Sequence, residues 1–159
     1  MSFLWELKVA TKEDVKPTVA QLSDHMNDQQ RAAFQDKLER YVQKKDRDLI
    51  LAMKGDQVLG LVCVIEQAEF PSTLPKQTLE WLGNFACSTQ LLVHPQQRKQ
   101  GIGNSLQLRA EQWASERGRA GFWLVTHRMA DWYRRHFGYG EVAKVNVKNT
   151  DKSVMAKEF

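Results

Sequence analysis

Long apolar runs are missing: no stretch of the 159 residues approaches the roughly 20 needed to span a bilayer, so no membrane partner is expected. The opening Met1-Ser2-Phe3-Leu4-Trp5-Glu6 lacks the basic and then apolar regions of a signal peptide, and the expected location is cytoplasmic. Cysteine is scarce. Only Cys63 and Cys87 occur, each inside an apolar stretch, with no C-x-x-C and no histidine spacing of a metal site, so no metal is expected. Both read as buried thiols, with a reactive thiol as the sharper alternative. A strong excess of one charge is also absent. The formal charge is +4 and the pI near 9.1, too mild to imply nucleic acid, and no basic stripe with interleaved aromatics is present. With neither low-complexity block, repeat nor linker, residues 1–159 are expected to form a single domain.

What is there reads as an α/β chain. Leu4 to Val9 alternates as a first strand, and Thr11 with Asp14 supplies a helix N-cap and an acidic first turn, Pro17 kinking or shortening that helix. A second helix is predicted from Asn27 or Asp28, with Phe34, Leu38, Tyr41 and Val42 on one face. Asp48 to Met53 and Gln57 to Ile65 are strand-like, and Lys54, Gly55 and Asp56 between them predict a hairpin. Residues 67–78, with Pro71 and Pro75, read as a loop before a long strand from about Leu79 to Val93, in which Gly83 and Asn84 mark a bulge. A helix from Gly101 to about Arg117, a short strand Gly121–Val125, a helix Arg128–His136 and strands Gly138–Val147 and Ser153–Phe159 complete the chain. The predicted order is β-α-α-β-β-β-α-β-α-β-β, a mixed sheet flanked by helices.

The informative segment runs from Leu91 to Gly103. An apolar strand, Leu91-Leu92-Val93, ends at His94-Pro95 and enters a basic, glycine-bearing turn that opens a helix. Such geometry suits a phosphate group, because the first helical N–H groups lack partners, the dipole is positive there, and glycine permits close approach. Arg98 and Lys99 add side-chain charge. The bland alternative is a strand-to-helix turn with no ligand, and the second basic cluster, Arg134-Arg135-His136, reads equally as a solvated helix end. No P-loop or dinucleotide fingerprint is present.

Arg98-Lys99-Gln100-Gly101-Ile102-Gly103 resembles the R/Q-x-x-G-x-G/A pyrophosphate loop of the GNAT superfamily of acyl-CoA N-acyltransferases, with Asn104 continuing into the helix behind it. Val9-Ala10-Thr11 with Asp14, Val58-Leu59-Gly60 and Val154-Met155-Ala156-Lys157 are similar to that family's opening, hairpin strand and closing strand, in the right order. The resemblance implies a GNAT-like fold in which the fourth strand splays from the fifth, Leu91, Leu92 and Val93 offer an edge to the pantetheine arm, and Arg98 to Asn104 hold the pyrophosphate. It implies acetyl-CoA as co-substrate and direct attack by a primary amine of a small molecule or a protein. Polyamines, amino acids, aminoglycoside-like drugs and protein amines all remain as acceptors, and a homodimer formed through sheet edges is compatible with the sequence. The alternative is a non-catalytic CoA-binding or interaction module on the same fold.

The same resemblance implies a tyrosine acid in the pattern Y-x-x-x-G-F. Counting back from Gly138-Tyr139 lands on Arg134, whereas the available tyrosine is Tyr133, one residue or about 100° of helix earlier. Tyr133 is the expected general acid if the helix end is irregular; otherwise it packs with Trp132, and Arg134 approaches a CoA phosphate. Glu80, near the start of the long strand, is the expected base, with Glu66 and Glu69 as solvated neighbours. His25 could line the acceptor site or be a surface histidine, and His94 reads as a strand-end residue.

Overall fold

In the computed structural model, residues 5–71 and 73–159 are described, so Leu4 of the expected first strand lies outside the described residues. The strands are β1 (Glu6–Val9), β2 (Arg47–Lys54), β3 (Gln57–Ile65), β4 (Phe85–Val93), β5 (Gly121–Thr126), β6 (Gly140–Val147) and β7 (Thr150–Glu158). The helices are α1 (Val15–Leu22), α2 (Asp28–Gln43), α3 (Lys76–Leu82), α4 (Ile102–Glu116) and α5 (Ala130–Phe137). The seven strands follow the order β1-β2-β3-β4-β5-β7-β6. The β1–β2, β5–β7 and β6–β7 pairs are antiparallel and β4–β5 is parallel. Among the described residues no helix is long and apolar enough to cross a membrane.

The chain divides into two compact units. The first runs up to Val64 and resumes over Gln90–Ala110. Its local signals act as the sequence predicts. The Asp14 carboxylate accepts from the Thr11 N–H at 2.8 Å, and Pro17 falls in the first turn of α1, where its missing N–H costs nothing, so the helix is short rather than kinked. Asn27 caps α2 by accepting from the Gln30 N–H at 2.8 Å, while Gln30 accepts from the Asn27 N–H at 2.9 Å. Phe34, Leu38 and Tyr41 then bury one face of that helix at i, i+4, i+7. The β2–β3 turn is tied to α1 by Gln21, which donates to the Asp56 carbonyl at 3.1 Å and accepts from the Val58 N–H at 2.7 Å. Gly60 on β3 permits a close approach: a Cβ there would sit 2.8 Å from the Leu92 carbonyl oxygen and 3.1 Å from Leu106 Cδ1.

The second unit comprises Ile65–Thr89 and Glu111–Phe159. β6 and β7 meet through a two-residue turn, Lys148 and Asn149, both at positive φ (50° and 65°), the conformation that matches the twist of antiparallel strands. A buried polar trio braces this unit. The Tyr139 hydroxyl donates to Glu111 at 2.7 Å, and Lys157 donates to the other carboxylate oxygen at 2.8 Å.

One element departs from the sequence reading. The long strand expected from Leu79 begins instead at Phe85, because Lys76–Leu82 form helix α3 behind Pro75, and Gly83 and Asn84 form the turn after it rather than a bulge. Glu80 therefore stands on a helix and not on a strand.

Candidate active site

The β4–β5 ladder pairs Phe85 with Gly121, Ala86 with Phe122 and Cys87 with Trp123, and ends there. β4 nonetheless continues to Val93. A strand edge without a neighbouring strand must find other hydrogen-bond partners, and an extended amide-bearing ligand supplies them. In the first unit the last residues of β4, Leu91, Leu92 and Val93, are half-buried, and the strand closes with the His94 N–H donating to the Leu59 carbonyl at 2.8 Å.

The chain then turns sharply. Pro95–Gln97 make one 3₁₀ turn capped by His94, whose Nδ1 accepts from the Gln96 N–H at 3.2 Å. Lys99 (φ 68°) and Gly101 (φ 85°) follow in the left-handed region, costly for lysine and free for glycine. Helix α4 starts at Ile102, and the Ser105 N–H donates to the Gly101 carbonyl at 3.0 Å. The N–H groups of Ile102, Gly103 and Asn104 precede that bond and are the orphan donors of the helix start. Neither Arg98 nor Lys99 pairs with a carboxylate among the described residues, and both are exposed beside Gln100 and Gly101. The first turn of α4 carries no acidic residue. Unpaired donors, two cations and a permissive backbone fit a diphosphate. Leu91–Val93 and Arg98–Asn104 lie in one unit, consecutive along the passage from β4 into α4.

That unit also holds a pocket of about 390 Å³, lined by His25, Met26, Gln30, Ala33, Phe34, Lys37 and Gln90. Its rim is shaped by Arg31, which donates to Ser23 Oγ at 3.0 Å and to the Met26 carbonyl at 3.1 Å, fixing the turn between α1 and α2. Lys37 donates to the Gln90 side-chain carbonyl at 3.1 Å. His25 is exposed and stands at this pocket, while Lys37 and Gln90 are pocket residues that the sequence did not single out. The one available signal was helical spacing, since Lys37 lies three residues beyond Phe34 on α2.

The two expected catalytic side chains belong to the second unit. Tyr133 on α5 is 5% exposed and packs edge-on against Trp132 and Tyr139, with ring centroids 4.8 and 5.6 Å away. Burial pushes its hydroxyl up to about 12, so it is a neutral proton carrier at physiological pH. That hydroxyl bonds to none of the described residues. α5 ends in a Schellman cap: Gly138, at φ 76°, directs its N–H to the carbonyls of both Tyr133 and Arg134, and the Tyr139 N–H returns to the Tyr133 carbonyl at 3.3 Å. The helix is regular as far as Phe137, so the cap leaves the additional residue between Tyr133 and Gly138 inside it. Arg134 is exposed and ion-paired with Asp131. Glu80 is exposed on α3, and Glu66 is engaged by Arg117 at 3.3 Å and Arg119 at 3.5 Å. Cys63 is fully buried and its thiol is pushed up to about 12 by desolvation, and Cys87 is 3% exposed, so both are core thiols rather than nucleophiles.

Comparison of the sequence with curated proteins finds no match. Solved structures share the fold. An aminoglycoside 6'-N-acetyltransferase complexed with coenzyme A superposes with a TM-score of 0.73 at 16% identity, covering 96% of each chain. The PaiA N-acetyltransferase of Thermoplasma acidophilum, in complex with coenzyme A, gives 0.69 at 16% identity over 100% of both chains. An acetyltransferase of the GNAT family from Streptococcus pneumoniae gives 0.68 at 14% identity, covering 98% of this chain and 99% of that one. The family model described as "Acetyltransferase (GNAT) family" matches residues 18–139, well over half of the sequence. The chain belongs to the GNAT family of acetyltransferases and is an acyltransferase.

Proposed function

We propose that residues 1–159 act as one catalytic domain that moves an acetyl group from acetyl-CoA to a primary amine by direct attack. The observation that carries this reading is the turn from β4 into α4, where left-handed Lys99 and Gly101, the cations Arg98 and Lys99 and the leading N–H groups of the helix converge. Arg98 to Asn104 hold the pyrophosphate, and the edge from Leu91 to Val93 holds the amide arm by strand-like hydrogen bonds. Acetyl-CoA brings an activated acyl group, and the remaining requirements fall on the chain. A backbone N–H near Val93 polarises the thioester carbonyl. Tyr133 donates its proton to the departing sulfur and regains one from solvent, its raised pKa keeping it protonated until then. The acceptor nitrogen must shed a proton to expose its lone pair, and Glu80 receives it through water.

Two measurements test the reading. Isothermal calorimetry should show coenzyme A binding, and thiol release from acetyl-CoA should depend on added amine. Tyr133→Phe should lower kcat about ten- to a hundredfold while donor affinity holds, a modest loss for a general acid because a thiolate leaves readily. Wild-type turnover in that variant would reduce Tyr133 to a packing residue. Coenzyme A binding without turnover on any amine would mark a binding module instead.

A further inference from the structure

We infer that the acceptor is a monoamine with an apolar body, and that the pocket beside α2 selects it by burying that body rather than by reading a second charge; this rests on the acetyl transfer proposed above. The pocket of about 390 Å³ is at the small end for ligand sites and suits a metabolite-sized molecule. Its two amides are already engaged within the protein. The Gln30 side-chain carbonyl accepts from the Asn27 N–H at 2.9 Å as part of the α2 cap, and the Gln90 side-chain carbonyl accepts from the Lys37 ammonium at 3.1 Å. What the pocket still offers is mainly carbon, from Met26, Ala33 and Phe34. Among the described residues no carboxylate lines it. A second ammonium brought here would give up its hydration without an anionic partner in the wall, whereas a methylene or an aryl ring gains by leaving water.

The wall is formed before anything binds. Arg31 donates to Ser23 Oγ at 3.0 Å and to the Met26 carbonyl at 3.1 Å, and Ser23 is 1% exposed, so the turn that carries Met26 is held in place. The Asn27–Gln30 capping box fixes the start of α2, and buried Phe34 anchors the helix. Ala33, exposed beside Phe34, is the smallest side chain of the wall, so a larger residue there would intrude on the space left for the body. Met26 is unbranched and adapts to bodies of differing shape. Gln90 immediately precedes Leu91–Val93, so the opposite wall continues directly into the strand edge proposed for the donor. The body therefore takes the α2 side of the pocket and the amine the β4 side.

The test is a series of straight-chain primary amines from ethylamine to octylamine, with spermidine and kanamycin as polycations, read as kcat/KM from thiol release with acetyl-CoA. The alkylamines share nearly one basicity, so the slope against chain length reports burial. In the wild type kcat/KM should rise about fourfold per methylene and stop rising once the pocket is filled, with both polycations below octylamine. Ala33→Phe should move that break to shorter amines and Met26→Ala to longer ones, while coenzyme A affinity by calorimetry holds and verifies each fold. Should a variant fail that control, the wild-type slope and the other variant decide. A flat series, a polycation above octylamine, or a break that a folded variant leaves in place would overturn the inference while leaving acetyl transfer intact. Absence of coenzyme A binding in the wild type, or binding with no turnover on any amine, would remove both.

Discussion

Replacing Gly60 by alanine sets a methyl group 2.8 Å from the Leu92 carbonyl oxygen, 3.1 Å from Leu106 Cδ1 and 3.3 Å from Ile102 Cγ2. The first contact is with backbone and cannot be relieved by a rotamer change, so the last turns of β4 or the start of α4 must shift. Overpacking of a well-filled site costs about 1–3 kcal/mol. A domain of this size loses about 2–4 °C of Tm per kcal/mol, so the melting temperature should fall by about 2–12 °C. The three atoms struck belong to the strand and the helix proposed to hold the donor, so on that proposal the damage extends beyond stability. If about 1 kcal/mol of the strain is relieved only by moving those elements, the Kd for coenzyme A rises about fivefold. Differential scanning fluorimetry gives the first quantity and calorimetry the second. Gly55→Ala is the control: it sits at φ 60° with nothing within 4 Å, so it adds backbone strain at the β2–β3 turn and should leave coenzyme A affinity alone. A Gly60→Ala protein with unchanged Tm and unchanged Kd would refute the packing of α4 on β3 and β4 as the support of the donor site.

Three other outcomes follow from particular contacts. Gly101→Val forces a β-branched residue to φ 85°, a strain of about 1–2 kcal/mol, and should weaken coenzyme A binding severalfold with a small change in Tm. Tyr133 has its pKa raised from about 10 in the unfolded chain to about 12 when folded; below about pH 10 both states are protonated, and stability is then lost as pH rises through about 12, so urea midpoints of the wild type should fall faster between pH 9 and 11.5 than those of Tyr133→Phe. Tyr139→Phe strips one donor from the buried Glu111 carboxylate and should cost about 1.5–3 kcal/mol in urea unfolding, while Lys157 keeps the other oxygen satisfied.

The parts of this protein that were legible in its sequence are those whose physics is local. The Thr11–Asp14 and Asn27–Gln30 caps, the turn at Gly55 and Asp56, and the passage from Leu91-Leu92-Val93 through Arg98 and Gly101 into α4 each depend on residues within about a dozen positions of one another. Helix α3 was not legible for a physical reason. Leu79, Trp81 and Phe85 alternate as a strand would, Leu79 and Leu82 recur as a helix would, and seven residues behind Pro75 are too few for intrinsic propensity to decide. Packing decides instead. Leu82 is fully buried, and Trp81 lies edge-on to Phe85 with ring centroids 4.9 Å apart.

The tyrosine offset is a departure in spacing that the backbone geometry of α5 leaves in place. One additional residue in a regular helix would rotate Tyr133 by about 100° away from the position that the Gly138-Tyr139 pair implies. Gly138 ends the helix there, because only a residue tolerant of positive φ lets its own N–H and that of Tyr139 reach back to the last carbonyls of α5. The pocket beside α2 had no local mark in the sequence. His25 comes from the turn before α2, Phe34 and Lys37 from two successive turns of that helix, and Gln90 from a strand more than fifty residues away. Lys37 on α2 and Gln90 on β4, far apart in sequence, meet at 3.1 Å only in the folded chain. The motif of the β4–α4 turn is thus carried by contiguous residues, while the pocket beside α2 is a meeting of side chains that only the folded chain creates.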